Sequence, residues 1–145
     1  MVGSLPDVRI PDCSVDDWQA VLYLVKARNR KYEYSVGDKA LPMPRAETVL
    51  SRPVDAECAY MRVWLMADVL AIFRFLDAEI IDFDVDLREL QGQERLDVLC
   101  GFLRALGRCV GKPVLMDPEG EYGRPVLGFD VEADRVVLLA EPPAM

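Results

Sequence analysis

Ile81, Phe83, Val85 and Leu87 alternate with Asp82, Asp84, Asp86 and Arg88. Successive side chains of a strand point to opposite faces, so this stretch carries one apolar and one acidic face. Parallel sheets are buried on both faces and would not accept such a row of aspartates. A half-buried antiparallel sheet accepts it, with the apolar side on a core and the acidic side toward water. The chain must therefore build a sheet covered on one face only.

The covering elements are legible as helices. In residues 92–110, Leu96, Leu99, Leu103, Leu106 and Val110 form an apolar stripe, with Glu94, Asp97, Arg104 and Arg108 largely opposite. Gly107 lies inside the stripe, where a missing side chain allows close approach to a sheet. Gly111 and Pro113 then stop the helix. A second helix opens at Ser14, with Asp17 placed for a capping box and Val15, Trp18, Leu22 and Val25 on one face. Lys26, Arg28, Arg30 and Lys31 crowd its far end, where cations complement the helix dipole.

Other segments read as strands. Residues 32–36 alternate with period two and end at Gly37-Asp38. Residues 60–66 and 69–76 are dense in β-formers, and a turn at Ala67-Asp68 would pair them. The rival is one helix over 55–76, but Arg62, Asp68 and Arg74 would fall about 120° apart and leave it no polar face. Residues 41–53, rich in proline, read as a surface loop with one helical turn near 46–50. A short strand over 114–116, an acidic loop over 117–123 and a hairpin from 125–129 to 135–140 complete the reading. The expected fold is a single α+β domain over 1–145, a mainly antiparallel sheet with two principal helices packed on one face.

Charge and composition narrow the function. Hydrophobic residues make up 52% and charged residues 29%, a globular balance. The net charge is −8, unevenly spread. Residues 1–53 carry eight Lys/Arg against seven Asp/Glu, whereas residues 54–145 carry nine against eighteen. Such a chain is repelled by nucleic acid and by anionic membranes and attracts a basic protein partner. No stretch reaches the roughly 18 apolar residues of a membrane span. The N-terminal residues lack the basic and apolar regions of a signal peptide, so a cytoplasmic location is expected.

Catalytic patterns are missing. The chain has no histidine, and Cys13, Cys58, Cys100 and Cys109 form no C-x-x-C pair. They are expected as small buried or half-buried thiols, with Cys13, near a helix start, the one whose pKa a helix terminus would lower. No cofactor, metal or catalytic residue is expected. The candidate partner-binding residues are Asp82, Asp84 and Asp86 on the strand and Asp117, Glu119, Glu121 and Tyr122 in the loop. Either Arg62, Arg74, Arg88 or Arg124 neutralises the ladder from neighbouring strands, or the face is available to a partner's cations.

In length, acidity and α+β layout, with the helix 92–110 running into Gly111-Lys112-Pro113-Val114 and the loop Asp117-Pro118-Glu119-Gly120, the chain resembles the small acidic bacterial immunity proteins of interbacterial toxin systems. That resemblance implies a tight protein partner and no catalysis of its own. The expected function is a cytoplasmic inhibitor that covers the active site of a secreted toxin, and the acidity suits it to a basic nucleic-acid-targeting one. The alternative is a secretion chaperone for an exported effector, which the size, acidity and element order also resemble. It departs from that pattern in ending at Pro142-Pro143 without a C-terminal helix. A small enzyme using carboxylates alone is the third reading.

Overall fold

The computed structural model describes residues 7–27, 31–53, 55–66, 69–85, 93–117 and 125–138. In chain order the elements are β1 (Asp7–Ile10), α1 (Val15–Ala27), β2 (Tyr32–Val36), β3 (Lys39–Leu41), α2 (Ala46–Leu50), β4 (Ala59–Met66), β5 (Val69–Asp77), β6 (Ile80–Val85), α3 (Gln93–Val110), β7 (Val114–Asp117), β8 (Leu127–Asp130) and β9 (Arg135–Leu138). The strands form one nine-stranded sheet in the order β3-β2-β4-β5-β6-β1-β7-β8-β9, with every neighbouring pair antiparallel. The single α+β domain expected from the pattern is the fold observed.

Period-two alternation sets the layers. Met61, Val63 and Leu65 of β4, Phe73 of β5, Ile81, Phe83 and Val85 of β6 and Val8 and Ile10 of β1 are buried on one face. Against them α1 packs Trp18, Val21, Leu22 and Val25, and α3 packs Leu99, Phe102, Leu103 and Leu106, all in one apolar core. Phe73, Phe83 and Phe102 meet at its centre, the first two stacked at 4.4 Å between centroids and Phe102 edge-on to both. The hairpin reading of 60–76 is borne out by the β4–β5 ladder, although its turn at Ala67-Asp68 lies outside the described residues. The capping box also forms. Asp17 N–H donates to Ser14 Oγ at 3.3 Å, and Ser14 N–H donates to Asp17 Oδ2 at 3.1 Å.

Four expectations need correction. Residues 7–10 were not expected as a strand, yet β1 stands between β6 and β7 in the interior of the sheet. Residues 39–41, where only Leu41 was given a reading, as the start of a loop, form the edge strand β3. Gly37 takes a positive φ of 59° there and turns the chain from β2 into it. Leu96, assigned to the apolar stripe of α3, is exposed, and the buried face of the helix starts at Leu99 and takes in Phe102 and Gly107. Cys58 is exposed rather than buried.

Gly107 does let α3 approach the sheet. A methyl group on its Cα would lie 2.1 Å from Phe129 Cδ2 on β8, whereas one on Gly101 would meet nothing within 4 Å. Gly107→Ala should therefore lower stability by about 1–3 kcal/mol through overpacking, despite the gain in helix propensity. Gly101→Ala should be neutral or stabilising by up to about 1 kcal/mol. Urea melts of the two variants decide this, and equal midpoints would show that α3 is free to shift.

Candidate functional site

The face turned away from the helices carries the charged residues, and the strand register puts them in two rows. One row crosses the sheet as Arg62, Ile72, Asp84, Asp7 and Asp117. The next runs Tyr60, Arg74, Asp82, Arg9 and Leu115. Three carboxylates thus stand side by side on β6, β1 and β7. Like charges directly opposite one another on paired strands repel.

The ion pairs run diagonally between the rows. Arg74 on β5 pairs with Asp84. Arg9 Nε donates to Asp117 Oδ2 at 2.8 Å, with the two side chains 14% and 0% exposed. Four carboxylates therefore share two guanidiniums among the described residues of this cluster. The shortfall falls on Asp7 and Asp82, each of which has a buried Oδ1 without a hydrogen-bond partner.

Their acidity responds as electrostatics requires. Asp7 is pushed up to about 7, first by burial, then by the charges of Asp82 and Asp84, a side-chain hydrogen bond with Asp84, and the charge of Asp117. Burial raises Asp82 as well, with Arg74 opposing and Asp84 adding to the rise. Near neutral pH the Asp7 carboxyl is therefore able to hold a proton and donate it in a hydrogen bond to Asp84.

Beside the carboxylates the same face is apolar. Ile72 stands next to Asp84 in its row, Trp64 and Leu70 are cross-strand partners, and Tyr60 stands next to Arg74. All four are half-buried. The ammonium of Lys31 sits 4.7 Å from the centre of the Trp64 ring.

The candidates read from the sequence fare differently. Asp82 and Asp84 project from this face, as the alternation required. Asp117 is not in an exposed loop; it ends β7, wholly buried against Arg9, and cannot meet a partner directly. Asp86, Glu119, Glu121 and Tyr122 lie outside the described residues, as do Arg88 and Arg124. Of the arginines weighed as neutralisers, Arg74 reaches the ladder, whereas Arg62 pairs with Glu33 at 3.8 Å. Asp7 and Arg9 were missed, because only long-range pairing brings them here.

The thiols give no site. Burial raises the pKa of Cys13, with the Asp17 charge adding to it, contrary to the lowering expected near a helix start. Burial likewise raises Cys100 and Cys109. Among the described residues no three Cys, Asp or Glu side chains gather closely enough to hold a metal ion, and no helix is long and apolar enough to cross a membrane. Compared with known proteins, the chain matches no family model, no curated protein and no solved structure.

Asp117→Ala removes a charged hydrogen-bond partner from the mostly buried guanidinium of Arg9, which keeps Asp82 beside it, and should cost about 1.5–3 kcal/mol. Arg62→Ala, at a half-exposed pair, should cost less than about 1 kcal/mol. Chemical denaturation measures both, and a loss at Asp117 no larger than that at Arg62 would mean that the Arg9 pair does not hold the sheet.

Proposed function

We propose that the chain is an immunity-type inhibitor that binds a basic toxin domain through the sheet face opposite its helices. The observation that carries this reading is the imbalance on that face, where Asp7, Asp82, Asp84 and Asp117 outnumber Arg9 and Arg74. A partner's Lys or Arg would supply the missing cations. Trp64, Leu70, Ile72 and Tyr60 would supply the desolvated centre that interfaces use for affinity, with charge acting mainly on association rate. Side chains fixed on strands also lose little entropy when bound. A nucleic-acid-targeting toxin suits this surface, since its own cleft must be basic to hold its substrate.

A second reading draws on Asp7 itself. A carboxyl pushed up to about 7 beside a carboxylate is a candidate general acid, which would make the chain a small hydrolytic enzyme. Turnover abolished by Asp7→Asn would favour it over the inhibitor.

Affinity capture from the native host, followed by growth assays, tests the proposal. The captured protein should be basic and toxic when produced alone, and co-production of this chain should restore growth. Trp64→Ala and Ile72→Lys should each weaken the complex at least tenfold, about 1.4 kcal/mol, while thermal melts show a folded domain. Added salt should slow association. Reversal of Asp84 is a poor probe, since it would also remove Arg74's partner. Affinities within twofold of the parent, less than ~0.4 kcal/mol, would exclude this face, and capture of a harmless exported protein would favour the chaperone.

A further inference from the structure

We propose that Asp7 is a proton-operated clasp, in which a protonated Asp7 donating to the facing Asp84 holds β1 in the seam of the sheet and loss of that proton loosens the strand. The inference is independent of what the face binds.

Topology makes β1 the seam. Without it the sheet falls into two blocks, β3-β2-β4-β5-β6 and β7-β8-β9, because β6 and β7 touch the same central strand and not each other. The strand has only four residues, of which Val8 and Ile10 anchor it by wholly buried side chains. Asp7 is its first residue, directly opposite Asp84 on one side and Asp117 on the other. Its neighbours on both sides are therefore acids.

Every described charge around Asp7 can be assigned. Asp82 and Asp84 face it from β6 and Asp117 from β7, with Arg74 reaching in from β5 and Arg9 two residues along its own strand. Arg74 binds Asp84 and Arg9 binds Asp117, so the cations settle the outer two members of the row. The middle one has a hydrogen bond with Asp84 and a second oxygen that is buried and unpartnered. A protonated Asp7 turns the contact with Asp84 from repulsion into a donated hydrogen bond. Deprotonation places two negative charges opposite one another across the β6–β1 pairing, at half-buried positions.

The folded chain holds this proton up to about pH 7, against an ordinary value of 3.8. Stability from this group is complete below 3.8 and is lost as pH rises through about 7. Opening should begin at β1, since the charge that deprotonation creates sits on its first residue, opposite Asp84 and Asp117.

A ¹³C carboxyl titration of the full chain from about pH 4 to 9, with native-state amide exchange at Val8–Ile10 corrected for intrinsic rates, tests the clasp. Asp7 should titrate near 7, and protection of the β1 amides should fall at least tenfold across that midpoint while α1 amides hold theirs. In Asp7→Asn the β1 protection should not change with pH. An Asp7 midpoint near the ordinary value of about 4 would overturn the proposal. So would a midpoint near 7 without any change in β1 protection. Both readings come from the parent protein, so they stand even if the variant does not fold.

Discussion

The structure depends on the insertion of a four-residue strand, β1, between β6 and β7. It joins a five-stranded block to a three-stranded one and completes one continuous sheet. Val8 and Ile10 drive the insertion by entering the core, where full burial of such side chains is worth about 1.5–3 kcal/mol each. The same insertion has an electrostatic cost, because it delivers Asp7 between Asp84 and Asp117. Diagonal pairing with Arg74 and Arg9 offsets part of that cost, and protonation of Asp7 offsets more.

Segregation of the two faces follows from the alternation. Apolar residues on one side collect α1 and α3 into a single core. The other side is left with the charges and with Tyr60, Trp64, Leu70 and Ile72. A surface that joins apolar side chains to an excess of carboxylates is chemically matched to a basic protein. The inhibitor proposal rests on that match rather than on any catalytic group.

Much of this was legible because the signals were local. The alternation in 81–85, the stripe of α3, the Ser14–Asp17 capping box and the small residue at Gly107 each act within one element or at one contact. The strand β1 was not legible, because four residues between Pro6 and Pro11 contain too few alternations to mark a strand. Partners some 70 to 110 positions away make it one. Asp117 was misplaced because Pro118 and Gly120 follow it and give strong turn chemistry. Its cross-strand partner Asp7 and its ion partner Arg9 extend the ladder to include it. Half of the acidic site was therefore visible as a pattern along β6, and the other half arose only from pairing distant segments.

The helix-free face of the sheet is the surface proposed to meet a partner. Hydrogen exchange of the chain, free and in complex with its captured partner, tests it most directly. Added protection is expected in β4, β5, β6 and β1, with α1 and α3 exchanging as in the free protein. Protection confined to the outer surfaces of α1 and α3 would contradict it.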